Sequence, residues 1–152
     1  MNDLLYSFLL TSGFTIIVLV VFVILYWGIR GFLPGSRVIE LPLVQPNGLD
    51  SKSATFKIFH VKWCPYSRDA VDAMKQFQGL IDERGYTYGN KHVEIAFVDC
   101  DSKKKDCSLY NVDAYPTYKL ETHEKMYEYL GPANITAYRA FLVAALGKEG
   151  QS

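Results

Sequence analysis

The sequence has few cysteines and no excess of charge of either sign. Three cysteines in 152 residues are too few for a disulfide-built scaffold and suit a domain in which one thiol reacts while the others are buried or paired. Lys and Arg balance Asp and Glu at 16 each, which leaves no electrostatic footprint for nucleic acid. No internal repeat is visible, and His92 and His123 lack metal-ligand spacing, so no metal site is predicted. The length allows one ordinary domain plus an appendage.

The appendage is an N-terminal run without charge, Leu4 to Trp27. A run of this length spans the hydrocarbon core of a membrane as a helix, so the sequence predicts a single transmembrane helix over residues 4–27. Tyr26 and Trp27 would lie in the interfacial belt. A cleaved signal peptide is the alternative. It is disfavoured because the run is long, no basic segment precedes it and no small-x-small cleavage site follows it.

The side of the membrane that the rest of the chain occupies is left open by the charges. Arg30 and Arg37 follow the apolar run, while only the α-amino group and Asp3 precede it, which leans towards a cytoplasmic domain. The glycosylation sequon Asn134-Ile135-Thr136 points the other way, because it matters only in a lumen. The interpretation that the sequence favours over a glycosylation site is that Asn134 is a helix N-cap.

Beyond the apolar run, residues 28–52 hold the Gly and Pro residues of a linker, with a possible short edge strand in "RVIEL", and residues 53–149 form the domain. Periodicity predicts the order β-α-β-α-β-β-α, an α/β domain with a mixed sheet. The predicted elements are a strand at Thr55–Val61, a helix beginning directly after Cys64, a strand at Val93–Val98, a short helix at Lys104–Tyr110, a hairpin of Tyr118–Glu121 and Met126–Leu130, and an amphipathic helix from Ile135.

The segment "WCPYS", residues 63–67, carries the predicted chemistry. Cys64 lies where a strand ends and a helix begins, so free helix N–H groups and the positive end of the helix dipole point towards its sulfur. This placement favours the thiolate, which is the nucleophile. Pro65 fits the first helical turn. Ser67 lies within reach of a hydroxyl-to-thiolate hydrogen bond, and Arg68 adds a nearby cation.

Ser67 stands where a dithiol site would have its second cysteine. A dithiol site resolves its own mixed disulfide by attack from that cysteine, and this step is unavailable here unless another thiol supplies it. The motif can therefore capture a partner, exchange with glutathione or shuffle disulfides. It cannot by itself cycle between dithiol and disulfide.

Three segments together resemble the thioredoxin-fold family over about residues 53–149. "WCPYS" resembles the family's Trp-Cys-x-x-Cys motif in its glutaredoxin-like Cys-Pro-Tyr variety. "YNVDAYPTYKL" (110–120) resembles the cis-proline segment of thioredoxins and protein disulfide isomerases, and "EYLGP" (128–132) resembles the closing strand and glycine. The resemblance implies a thioredoxin-like α/β fold with a mixed central sheet flanked by helices.

The resemblance also implies the site. Pro116 would be cis and would face the nucleophile Cys64, so that Cys64, Ser67 and Pro116 form the catalytic group. The substrate-binding residues would be Trp63, Pro65, Tyr66 and Tyr115. The implied partners are proteins with thiols or disulfides, without a resident cofactor and with glutathione as a possible external thiol.

The chain departs from the family pattern at several positions. Ile58 stands where thioredoxins and isomerases carry a buried carboxylate six residues before the first cysteine, and this agrees with the loss of the second cysteine. The segment Tyr115-Pro116-Thr117 replaces Thr-Val-Pro, and no Gly-Gly follows it. The residues therefore do not predict glutathione as a dedicated cofactor.

Two further pairs follow from the family's pattern. His60 and Asp101 fall at matching strand ends, and we hypothesise that they pair near the thiol as a proton relay, the preferred alternative being a packed histidine with a local hydrogen bond. Cys100 and Cys107 would form a disulfide in an oxidising compartment or remain two buried thiols.

The sequence thus predicts a single-pass membrane protein with a thioredoxin-like monothiol domain that exchanges disulfides on protein substrates through Cys64. The rival interpretations are a non-enzymatic capture module, a redox-inactive structural domain and a serine introduced by engineering as a trap for partners.

Overall fold

The computed structural model describes the backbone of residues 2–30 and 37–151, with side chains for residues 12–26 and 38–151. The chain divides into two compact units, Met1–Leu33 and Pro34–Ser152. The first unit contains one helix, α1 (Asn2–Arg30), which includes the predicted span 4–27. Within the described residues, no helix is both long and apolar enough to cross a membrane.

The second unit is built around one mixed sheet of seven strands, in the order β1-β6-β5-β2-β4-β3-β7. Strands β2 and β4 are parallel, and all other neighbours are antiparallel. Its elements are β1 (Arg37–Leu41), β2 (Ser53–His60), α2 (Pro65–Arg84), β3 (Tyr86–Tyr88), β4 (Lys91–Asp99), α3 (Lys104–Leu109), β5 (Thr117–Thr122), β6 (Met126–Leu130), α4 (Ile135–Leu146) and β7 (Glu149–Gln151).

The central strand β2 contributes to a core on each face of the sheet, because successive side chains of a strand point to opposite faces. Phe56 and Ile58 belong to the larger core, which is completed by apolar residues of α2 and α4. Phe59 belongs to the smaller core on the α3 side. Cys64 is part of this smaller core together with Cys107 of α3, so the thiol lies on the α3 side of the sheet.

Local signals fix the ends of the two long helices. Pro65 occupies the first turn of α2, where no backbone N–H is needed, and Gly85 ends the helix in the left-handed conformation with φ 59°. The Gly85 N–H donates to the carbonyl oxygen of Ile81 at 2.9 Å. Asn134 caps α4, its Oδ1 accepting the Ala137 N–H at 2.9 Å.

The structure contains strands that periodicity did not predict. Strands β3 and β7 have three residues each, too few for a period-2 pattern to stand out. Their pairing rests on tertiary contacts. The Arg139 Nε and a guanidinium NH2 group donate to the two carboxylate oxygens of Glu149 at 2.9 and 2.5 Å, and Tyr88 OH donates to one of them at 2.8 Å. The possible edge strand in "RVIEL" is present as β1, inside the segment that was predicted to be a linker, and it pairs with β6.

Candidate functional site

Cys64 lies in the turn between β2 and α2, at the N-cap of α2 with φ −89° and ψ 120°. Its residue exposure is 9%, so the thiol is largely covered but reaches the surface. The Sγ–H group donates to the carbonyl oxygen of Tyr115 at 3.8 Å, across 51 residues of chain. The Arg68 N–H, donating to the Cys64 carbonyl oxygen at 3.3 Å, closes the first turn of the helix beneath the thiol. The Arg68 side chain is exposed.

The loop that faces Cys64 contains the cis peptide bond Tyr115–Pro116. Trp63 and Tyr115 meet edge to face, with ring centroids 6.2 Å apart. Trp63, directly before Cys64, is 71% exposed, and Tyr66, two residues after it, is 77% exposed. Pro65, between them, is exposed too. Three of the four residues predicted to bind substrate are therefore exposed next to a nearly covered sulfur, and the fourth, Tyr115, contacts both Trp63 and the thiol.

Ser67 is fully buried, at 0% exposure. Its Oγ accepts a hydrogen bond from the Val61 N–H at 3.4 Å, which ties the first turn of α2 to the end of β2. Among the described residues no hydrogen bond joins Ser67 to Cys64, so the predicted hydroxyl-to-thiolate contact is absent while the thiol donates to Tyr115. Ile58, also at 0% exposure, lies in the apolar core and supplies no proton acceptor.

The predicted pair of His60 and Asp101 is not formed. Asp101 Oδ2 instead accepts the Lys62 N–H at 2.9 Å, and Lys62 Nζ pairs with Asp99 Oδ2 at 3.1 Å. The hydrogen bond from Lys62 lowers the pKa of Asp99. The two carboxylates at the end of β4 thus hold Lys62, two residues before Cys64, rather than serving a relay. No sequence signal distinguished Lys62 from an ordinary surface lysine.

His60 lies on the α2 side of the site, where it lines a cavity of about 280 Å³ together with Ser67 and Arg68. Partial burial lowers the pKa of His60, and the negative charges of Asp99 and Asp101 oppose this shift without cancelling it. No hydrogen bond or ion pair joins His60 to another described residue through its ring. Its position therefore favours a packed neutral imidazole, without the local hydrogen bond that the alternative interpretation included.

Cys100 and Cys107 are joined in a disulfide. They are 4% and 3% exposed, respectively, and share the smaller core with Cys64. Their bond links the end of β4 to α3 and lines one wall of a groove of about 480 Å³, whose other walls include Trp63 and Tyr115. Cys64 is the free cysteine of the described part of the chain.

A buried ion pair on the α3 side of the sheet was not predicted. Lys57 Nζ lies 2.8 Å from Glu121 Oε2, and the same ammonium donates to Tyr110 OH at 2.7 Å. Glu121 is only 3% exposed. Burial acts to lower the pKa of Lys57, but Glu121 and Tyr110 outweigh it and raise the pKa. The sequence feature that could have indicated this ion pair is Lys57 itself, a single lysine within a mostly apolar strand. Tyr110 also packs against Phe59, with tilted rings whose centroids are 5.1 Å apart, so the ion pair adjoins the core that contains Cys64.

The described residues include no cluster of three or more His, Cys, Asp or Glu side chains arranged to hold a metal ion. The described site brings together one thiol, a backbone carbonyl and exposed aromatic side chains.

Comparison with solved structures identifies the architecture. Fasciola hepatica thioredoxin superposes with a TM-score of 0.50 at 23% identity, over 62% of this chain and 82% of the thioredoxin. The fold is thioredoxin-like. The turn with Cys64 and the cis-proline loop with Pro116 meet at one end of the sheet of this fold.

Two curated relatives are similar in sequence. Protein disulfide isomerase-like 5-1 of Oryza sativa subsp. japonica is 29% identical over 98 residues, 64% of this chain and 63% of the relative. Protein disulfide-isomerase 5-1 of Arabidopsis thaliana is 25% identical over 104 residues, 67% of this chain and 66% of the relative. The chain thus spans just under two thirds of the length of each relative. No protein-family model matches it.

Proposed function

We propose that the chain carries out thiol–disulfide exchange on protein substrates through the single thiol of Cys64. The observation that carries this proposal is the contact between the Cys64 thiol and the Tyr115 carbonyl oxygen, within a surface that exposes Trp63 and Tyr66. A thiol that served only packing would not need an open aromatic rim. The two relatives named as protein disulfide isomerases support the same chemistry.

The reaction needs no group beyond thiols. The Cys64 thiolate attacks one sulfur of a client disulfide, a Cys64–client S–S bond forms, and the other client sulfur leaves as a thiolate. That thiolate, or glutathione as an external thiol, then attacks the mixed disulfide and restores the Cys64 thiolate. Attack by a different thiolate of the same client rearranges client disulfides without net oxidation, whereas return of the original thiolate only reverses the first step. Attack by two glutathione molecules in turn reduces the client and leaves one glutathione disulfide.

The serine at position 67 supports a second candidate function, in which the chain captures a client at Cys64 and does not turn over. Its hydroxyl is buried and cannot resolve a mixed disulfide, so a client bound at Cys64 stays bound until another thiol arrives. Exchange and capture therefore share the first step and differ only in the fate of the adduct. A redox-inactive domain would form no adduct.

The proposal includes attachment to a membrane through residues 4–27. Its support is the uncharged run itself, together with exposed side chains in α1 from Phe14 to Tyr26, which are apolar except for Thr15. The described side chains of α1 cover only Ser12 to Tyr26, fewer than the ~20 residues that a span requires. Extraction of expressed full chain with alkaline carbonate tests this part: a spanning chain stays in the membrane pellet, and release into the supernatant would contradict it.

The exchange proposal is tested by turnover. The full chain is mixed with a glutathionylated peptide and reduced glutathione, and peptide thiol is measured against time. We expect several peptides released per protein molecule, and a loss of this activity in Cys64→Ser to the uncatalysed rate. At most one release per molecule, followed by a mixed disulfide at Cys64 that persists despite the glutathione present, would instead establish capture. No adduct and no release would contradict both.

A further inference from the structure

Asn134 has a feature that the thiol site does not use. It begins Asn134-Ile135-Thr136, the only Asn-X-Ser/Thr sequence in the chain. Both Asn134 and Thr136 are exposed, at the start of α4. The sequon is therefore presented at the surface of the folded domain, as modification of this kind requires.

The N-cap role of Asn134 does not compete with modification. The cap uses the amide oxygen Oδ1, which accepts the Ala137 N–H at 2.9 Å. Among the described residues, Nδ2 of Asn134 makes no hydrogen bond. Since N-linked glycosylation joins a sugar to Nδ2 and preserves the amide oxygen, the cap and a glycan are compatible.

The disulfide between Cys100 and Cys107 is an independent indicator of the compartment. Structural disulfides persist in oxidising compartments and are rare where thiols are kept reduced. Both sulfurs lie in the core and not at an exposed position suited to a redox sensor. The charges beside the apolar run favour a cytoplasmic domain instead, but two arginines after the run amount to a bias of only about two charges.

We propose that the domain faces an oxidising, glycosylating lumen and that Nδ2 of Asn134 carries an N-linked oligosaccharide. The modifying activity is an oligosaccharyl transferase of that lumen, with a lipid-linked diphosphate oligosaccharide as donor. A bond forms between Nδ2 and the anomeric carbon, the bond from that carbon to the diphosphate oxygen breaks, and Nδ2 loses one proton. The lipid diphosphate leaves, and no oxidation or reduction occurs.

The inference rests on entry of residues 4–27 into a membrane and not on the chemistry of Cys64. Cys64→Ser is therefore expected to carry the same glycan as the unmodified sequence. A chain that lacks exchange activity but is glycosylated would leave this inference standing.

The test is expression of the full chain in a glycosylating eukaryotic cell, followed by digestion with an amide-cleaving glycosidase and electrophoresis. We expect one discrete decrease in apparent mass for the wild-type chain and for Thr136→Ser, which keeps the sequon. Asn134→Asp keeps a good N-cap and Thr136→Ala keeps Asn134 itself, yet both lose the acceptor sequence. Both are expected to migrate with the digested wild-type chain before digestion.

A wild-type chain that does not shift overturns the proposal, and a reporter shows which half fails. His92→Thr, added to Asn134→Asp, creates an acceptor at Asn90, which is exposed in the turn between β3 and β4. A glycosylated reporter beside an unshifted wild-type chain refutes the site alone. An unmodified reporter refutes the compartment as well. Thiol labelling after acid quenching tests the compartment by a second route. One labelled cysteine per chain supports a disulfide between Cys100 and Cys107, and three labelled cysteines contradict it.

Discussion

The sulfur of Cys64 lies 3.8 Å from the carbonyl oxygen of Tyr115, and the next peptide bond, Tyr115–Pro116, is cis. The thiol donates to this carbonyl in the free protein. In the proposed exchange, the sulfur loses its proton when it enters a mixed disulfide, so the carbonyl loses its donor and becomes available to a backbone N–H of the bound client. The proposed nucleophile and the carbonyl proposed to receive the client are therefore linked through one hydrogen bond.

The exposed ring of Trp63 is expected to contribute to client binding and not to the reactivity of the sulfur. Trp63→Ala should slow adduct formation with a peptide disulfide by about tenfold, the effect of losing one aromatic anchor of about 1.4 kcal/mol. Alkylation of Cys64 by a small reagent should change far less, because such a reagent does not use the aromatic surface.

The matched control for this comparison is Val143→Ala, which removes an exposed apolar side chain from α4. It should change neither rate. Equal slowing of both reactions in Trp63→Ala would mean that the tryptophan acts on Cys64 itself, which would contradict a role confined to client binding.

The buried pair of Lys57 and Glu121 is expected to matter for stability. Glu121→Leu leaves the largely covered Lys57 ammonium without its carboxylate and should lower the free energy of unfolding by about 3 kcal/mol. The double variant Lys57→Met with Glu121→Leu removes both charges and should recover most of that loss. Chemical denaturation measures both.

The exposed pair of Glu40 and Lys125 provides the comparison, since its side chains are 56% and 48% exposed. Glu40→Leu should cost less than about 1 kcal/mol. Similar losses at Glu40 and Glu121 would show that burial of the second pair has no energetic consequence.

The lowered pKa of His60 leads to a prediction of how the stability of the fold changes with pH. Because burial lowers its pKa below 6.5 in the folded chain, the unfolded chain binds a proton first as the pH falls through that value. Stability should therefore decrease between about pH 7.5 and pH 5.5, with an unfolding midpoint that falls more in the wild-type chain than in His60→Gln. Identical falls in the two proteins would show that His60 does not contribute.

The sequence predicted the parts of this molecule that depend on local patterns. The helix after Cys64 was predicted from apolar residues at helical spacing and from Pro65, and the hairpin of β5 and β6 from two apolar runs around a polar turn. Strand β7 was missed because three residues have no period, and it is held by Arg139 and Glu149, which are ten residues apart.

In the candidate site, too, the features set by local motifs were predicted and those set by tertiary contacts were not. The motif placed Cys64 at a helix N-terminus, and the resemblance placed Tyr115 and Pro116 opposite it. The partners of individual polar groups were not predictable, because they depend on side-chain direction. Asp101 points to the Lys62 N–H instead of His60, and Ser67 accepts from Val61 instead of approaching the thiol.

The central claim is that Cys64 forms mixed disulfides with clients and that the site, with Ser67 in place of a second cysteine, holds no thiol that releases them. The most direct measurement is the lifetime of a Cys64–peptide disulfide, followed by mass in the absence of any external thiol, for the wild-type chain and for Ser67→Cys. We predict an adduct that persists in the wild-type chain and decays in Ser67→Cys, because the new thiol attacks the mixed disulfide and releases the peptide. An adduct that decays equally fast in both, or no adduct at Cys64, would contradict the claim.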